Sequence, residues 1–106
     1  MTTIKERVQA GAEFLDKALP DWWNGKETPT IDLEILNMNN QSMCVLGQCF
    51  GHYDIACKKL GIAAWTVDER KGKPSAQALG FLGAGLTTSS LDAPWRREIR
   101  RRRREG

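Results

Sequence analysis

Apolar residues recur at helical spacing at three places along this chain, and polar or turn-forming stretches separate them. The first set is Ile4, Val8, Gly11, Ala12, Leu15 and Leu19, closed off by Pro20. It is preceded by Thr3-Ile-Lys-Glu6, in which a hydroxyl and a carboxylate can each satisfy an orphan amide at a helix start. The pattern predicts a helix over 3–18. Pro20-Asp-Trp22-Trp23-Asn-Gly25 has turn chemistry and two large aromatics. It reads as a loop folded back to plug the core, with exposed anchors for a partner as the alternative reading of Trp22 and Trp23. Ile31-Asp-Leu33-Glu-Ile35-Leu36 alternates like a strand, yet also fits a short helix capped by Thr30. A lone strand would leave its backbone groups unpaired, which favours a helical turn or two. Asn37 to Ser42 is then a loop, with Ser42 capping the next helix.

The second set lies in residues 43–60. At about 100° per residue, Val45, Ala56, Cys49, Leu60, Tyr53, Leu46, Cys57 and Phe50 fall within an arc of roughly 140°, with polar residues opposite. One continuous helix is predicted, stopped by Gly61. A charged loop over 66–74 follows, then Ser75 as the cap of a short helix ending at Gly80. Gly80, Gly83 and Gly85 do not make a phosphate loop, because the order is wrong and no Lys-Ser/Thr follows. Ser90 and Asp92 offer caps for a last helix from about 92 to 104, with Pro94 in its first turn and Trp95 and Ile99 placed to dock one side. The expectation is a mostly α fold: a small bundle of about four helices with long loops over 1–99, and an arginine-rich tail over 100–106.

Charge sharpens that division. Residues 93–106 carry seven Arg against two Glu, a charge of +5, whereas residues 1–92 sum to −2. Nothing apolar follows Ile99, so Arg100 to Arg104 are expected to form a solvated, frayed helix end. Together with Arg96 and Arg97 they are candidates for binding nucleic acid or another anion, since arginine-rich segments engage phosphates by charge-assisted bonds and counterion release. A chain of 106 residues with 41% hydrophobic content can build one modest core. Three cysteines are an odd number with no charged leader and apolar stretch ahead of them, so a reducing cytoplasm is expected. No run is long and apolar enough for a membrane span.

All three cysteines and the single histidine fall within fourteen residues, as Cys44-x4-Cys49-x2-His52-x4-Cys57. The spacing resembles a zinc knuckle with its first two gaps exchanged. On a continuous helix, however, Cys49 and Cys57 would lie roughly 12 Å apart and Cys44 and Cys57 roughly 20 Å apart, too far to share one zinc ion. Cys49 and Cys57 are therefore expected in the core, with His52 at its edge. Cys44 falls on the polar face of the first turn, where the helix dipole can lower a thiol pKa. Gly47 and Gly51, four apart, form a small-residue groove that could admit a partner backbone or merely weaken the helix. No catalytic constellation is evident and no cofactor is expected.

Cys44-Val-Leu-Gly-Gln48 followed by Gly51 and Tyr53 resembles the central motif of small proteins of unknown function from actinobacteria and their bacteriophages. The likeness extends to Gly11 through Asp16, to Pro20 with Trp22 and Trp23, to Leu36-Asn-Met38, to Gly80-Phe81, and to Leu91, Trp95 and Ile99. Cys49, His52 and Cys57 lie outside the shared pattern. The resemblance names no activity, but with the lack of a catalytic constellation and with Trp and Gly features that could serve an interface, it favours a small, non-enzymatic, phage-type protein acting in the host cytoplasm, with a host protein as its partner through Trp22, Trp23, Gly47 and Gly51. Two alternatives stand beside it: a nucleic-acid accessory protein using the arginine tail, and a zinc-stabilised module.

Overall fold

Thr3 starts the first helix as its side chain demands. In the computed structural model, which describes residues 3–20, 22–23, 31–63, 75–82 and 88–105, the Thr3 hydroxyl accepts from the Glu6 amide at 3.1 Å. The Glu6 carboxylate accepts from the Thr3 amide at 3.4 Å in return. Helix α1 (Ile4–Ala18) buries Val8, Gly11, Ala12 and Leu15 and ends before Pro20, close to the predicted bounds.

The predicted single helix over 43–60 is two. Helix α2 (Val45–Phe50) stops at Gly51, whose φ of 93° is a region that side chains other than glycine rarely occupy. His52 is extended and caps helix α3 (Tyr53–Leu60), its ring Nδ1 accepting from the Asp54 amide at 3.2 Å. Gly61 ends α3 in the left-handed conformation, as the sequence predicts. The N-cap of α2 is Cys44 and not Ser42. Its Sγ accepts from the Gly47 amide at 3.2 Å, while the Asn40 side chain turns the chain just upstream by accepting from Ser42 and Met43.

Residues 31–36 adopt neither a strand nor a regular helix, but a turn at 33–35 in which the Glu34 amide bonds to the Asp32 carboxylate, while Gln48, Arg96 and Arg103 take up other backbone groups of the segment. Ser75 caps a series of turns and not a short helix, its hydroxyl accepting from Ala78. A 3-10 turn (Thr88–Leu91) leads into helix α4 (Asp92–Glu105). Helix α4 covers the predicted 92–104 and runs to Glu105, so Arg100 to Arg104, expected to fray, are regular helix. The fold is mostly helical, and among the described residues four α-helices and no strand occur, only an isolated bridge between Ala63 and Ser75. The expected 66–74 loop and the positions Gly25, Thr30, Gly83 and Gly85 lie outside the described residues.

Helices α1 and α4 pack side by side and run in the same sense, Gly11 against Trp95 and Asp16 against Arg102. The 79–80 turn wedges onto this pair so closely that a Cβ on Gly11 would lie 1.8 Å from the Leu79 carbonyl oxygen. Trp95 sits at the centre. It stacks on Phe81 at 5.3 Å between ring centroids, meets Trp22 edge-on at 5.9 Å and donates its indole N–H to the Gly80 carbonyl at 2.7 Å. Leu15, Leu46, Val45, Ile31 and Ile99 complete a fully buried core around the three aromatic rings.

Candidate functional site

Every residue type on α4 has a place set by the helical wheel. At about 100° per residue its fourteen positions divide into three faces. Trp95, Glu98, Ile99 and Arg102 point into the body, where Trp95 and Ile99 are fully buried. Asp92, Arg96 and Arg103 fall on one flank and organise the irregular 31–38 segment. The Asp92 carboxylate accepts from the Met38 amide at 2.7 Å. Arg96 donates to the Leu33 carbonyl at 3.1 Å and to the Leu36 carbonyl at 2.7 Å, and Arg103 to those of Trp23 at 3.2 Å and Ile31 at 2.6 Å. These bonds satisfy the backbone that a strand would otherwise have paired.

The inward arginine is held by two acids and an indole. Arg102 donates to both oxygens of Asp16, at 3.2 and 2.8 Å, and to Glu98, and its guanidinium lies 5.9 Å over the Trp22 ring. Asp16 also accepts the Trp22 indole N–H at 3.0 Å. Burial pushes the Asp16 carboxyl up, but the hydrogen bonds from Arg102 and Trp22 and the charges of Arg102 and Arg101 outweigh it and hold the carboxyl below its usual range. For Glu98, burial is likewise overcome by Arg101 and Arg102, again with a net downward shift.

What remains is the outer face. Arg97, Arg100, Arg101 and Arg104 follow the i, i+3, i+4, i+7 spacing, and all four are exposed. Arg101 is paired with Glu98 at 2.9 Å and more loosely with Glu105 at 3.6 Å. Of the seven arginines expected to meet an anion, Arg96, Arg102 and Arg103 are therefore spent on the fold. The other four form a cationic stripe. A groove of about 400 Å³ beside this stripe is lined by Lys5, Val8 and Gln9 of α1 and by Pro94, Arg97, Glu98 and Arg101 of α4. Compared with protein-family models, with curated proteins and with solved structures, the chain matches none. The geometry of its own residues is thus the ground for a functional reading.

The residues expected to face a protein partner fare differently. Trp22 is wholly buried between Trp95 and Arg102, so it is a core plug and not a surface anchor. Gly47 is buried too, and its small-residue groove is already filled by this chain's own backbone: an added Cβ would lie 2.2 Å from the Gln41 carbonyl oxygen and 2.7 Å from the Ser42 carbonyl carbon. Gly51 is exposed with nothing near it, and its role is to break the helix. Trp23 is half-buried. It lines a second, more open groove of about 340 Å³ with Asp16, Arg101, Arg102 and Glu105.

The cysteine segment is structural chemistry. Because the chain turns at Gly51, the straight-helix separations expected for Cys44, Cys49, His52 and Cys57 do not apply. Even so, among the described residues no three His, Cys, Asp or Glu side chains group as ligands of one metal ion would. Cys44 is buried, not on a polar face. Burial raises its thiol pKa despite the amides of Gly47, Leu46 and Cys44 that favour the thiolate, so the expected dipole activation is overcome. Burial pushes the Cys49 thiol up to about 12, with Cys44 adding to the shift, and Cys57 up to about 11, partly offset by a hydrogen bond from Tyr53. In native protein at pH 8, all three thiols should resist a disulfide reagent for much longer than free cysteine does, and all should react at once in denaturant. Fast native labelling of Cys44 would contradict this placement.

The Cys44 to Gln48 motif also acquires a physical meaning. Cys44 caps α2, Gly47 lets the preceding turn touch the helix, and Gln48 clamps a distant segment. The Gln48 amide accepts from the Asp32 N–H at 2.7 Å and donates to the Asp32 carbonyl at 3.2 Å and the Met43 carbonyl at 2.9 Å. Sequence reasoning missed Gln48, although a long amide in a helix beside an unpaired 31–36 segment was the available signal.

Proposed function

We propose that the protein is a non-enzymatic binding protein that engages the phosphate backbone of nucleic acid through the outer face of α4. One observation carries the reading: three of the seven arginines bond to groups that position α4, and the other four, of which Arg101 also pairs with Glu98 and Glu105 on its own helix, share a single exposed stripe. A merely solubilising tail has no need of such sorting. Rigid presentation matters because a docked helix has already lost the conformational freedom that a disordered tail gives up on binding. The stripe offers charge and hydrogen-bond donors without a constellation for reading base edges, so binding is independent of sequence. A host-protein partner, the reading that the resemblance and the Trp and Gly features together favour, has lost Trp22 and Gly47 as surface contacts. Among the described residues no helix is long and apolar enough to cross a membrane. The cytoplasmic setting expected from the cysteine usage is one in which nucleic acid is at hand.

Removing charge without removing structure provides the test. Deletion of 100–106 would also remove Arg102 and Arg103, which hold the fold. Arg100→Ala with Arg104→Ala changes only side chains on the exposed stripe, and the melting temperature should stay unchanged. Binding should weaken, and the slope of log K against log salt should shrink by about 1.5 to 2, as expected when two phosphates are no longer neutralised. Undiminished binding and an unchanged slope in the double variant would remove the stripe from the interface.

A further inference from the structure

Both grooves beside α4 are lined by residues of α1 and α4, and Arg101 stands between them and lines both, so they follow one another along the α1–α4 seam, here called the furrow. At its upstream end stand Lys5, Arg97 and Arg101, with Val8 and Pro94 as an apolar floor and Gln9 as a neutral hydrogen-bonding group. At its downstream end stands Trp23, a half-buried residue that lines the groove. The acids along the furrow are matched by Arg102 and Arg101: Asp16 is bound by Arg102, Glu98 by Arg101 and Arg102, and Glu105 faces Arg101, so Lys5 and Arg97 are the lining cations not paired with any of these acids. A line of cations leading to an aromatic face is the arrangement that single strands use, phosphates tracking the charge and a base stacking on the ring.

Width favours a single strand over a duplex. Helices in contact have axes roughly 8 to 10 Å apart, so the furrow between them is about one side chain wide. An extended strand can lie along it, whereas a duplex would touch only the outer ridge. From Arg97 to Glu105 the helix advances about 12 Å, enough for a few nucleotides. We infer that the furrow between α1 and α4 seats single-stranded nucleic acid, with phosphates on Lys5 and Arg97 and one base stacked on Trp23. This rests on the proposed nucleic-acid function and adds Lys5 and Trp23 to it.

The experiment measures anisotropy of a labelled oligo-dT, an oligo-rU of equal length and a duplex of that length, against full-length protein at low and moderate salt. Wild type should prefer both single strands to the duplex. Trp23→Leu should weaken single-strand binding by about tenfold or more, the loss typical of one stacked base, and should leave duplex binding unchanged. Trp23→Phe should restore most of the loss, which a packing role for the indole alone would not predict. Lys5→Glu, an exposed change on α1, should also weaken single-strand binding, and it decides the matter should Trp23→Leu fail to fold. Equal binding of duplex and single strands, with neither Lys5→Glu nor Trp23→Leu reducing single-strand affinity, would overturn the furrow while leaving the Arg100/Arg104 stripe standing. Absence of binding to any of the three probes at low salt would overturn both.

Discussion

Trp95→Ala should cost enough stability to leave most of the chain unfolded under mild denaturant. Truncating a fully buried aromatic costs about 3 to 5 kcal/mol when the surroundings cannot collapse. Here they cannot readily do so, because Phe81 and Trp22 are positioned against that ring and against each other's neighbours. The Gly80 carbonyl would also lose the indole N–H it accepts at 2.7 Å in a buried setting, adding roughly 1 kcal/mol or more. Set against a typical net stability of about 5 to 15 kcal/mol, that is a large share of the total. Gly11→Ala approaches the same joint from the other side. Its new methyl would lie 1.8 Å from the backbone oxygen of Leu79, which no rotamer change relieves, so α1 and the 79–80 turn must separate. Both variants should shift the urea midpoint strongly downwards, while Trp23→Leu shifts it much less because Trp23 is only half-buried. A Trp95→Ala midpoint within a few tenths of a molar of wild type would refute this account of the core.

Local chemistry was legible in the sequence, and tertiary pairing was not. The Thr3/Glu6 capping box, the stop at Gly61 and the start of the last helix at Asp92 are decided by neighbours three or four residues away, and the sequence displays them directly. The apolar period also identified Val8, Ala12, Leu15, Leu46, Tyr53 and Ile99 as core. It missed the break at Gly51 because helices on either side of a two-residue turn can keep their buried positions in phase, so a wheel drawn straight through still looks continuous. The arginines illustrate the larger gap. As a run they read as a solvated tail, yet Arg96 and Arg103 answer carbonyls some sixty to eighty residues away in sequence, and Arg102 answers Asp16. Their separation into docking and exposed residues was present in the wheel of 92–105, but its meaning depended on knowing that 31–36 makes no ladder of its own. For the candidate site, the sequence supplied the arginines and Trp23 but not Lys5, which enters only through the pairing of α1 with α4.

Arg102→Ala should be the most damaging change among the arginines, and its effect should depend on pH. The side chains of Arg102 and Glu98 are only 13% and 10% exposed, so their pairing lies near the buried limit, whereas Asp16 at 40% is well screened and contributes less. Removing one partner of a buried pair leaves the other charge uncompensated, a cost of about 3 kcal/mol, here reduced somewhat because Arg101 still reaches Glu98. Both carboxyls have folded-state pKa values depressed from ordinary values of 3.8 for Asp16 and 4.5 for Glu98. A depressed carboxyl contributes stability that is complete above the unfolded pKa and is lost as pH falls through the folded one. Wild type should therefore hold its stability from neutral pH down to about pH 5 and lose it steadily below that, through these groups. Arg102→Ala should be less stable at pH 7 and should show a shallower decline in acid, so that the two curves converge towards pH 3. The paired change Glu98→Leu with Arg102→Leu should cost less at pH 7 than Arg102→Ala alone, because no buried charge is left without a partner. Parallel acid limbs for wild type and Arg102→Ala would mean that the Asp16–Arg102–Glu98 cluster does not hold α4 on the body, and the cationic stripe would then lose the rigid support on which the proposed interface depends.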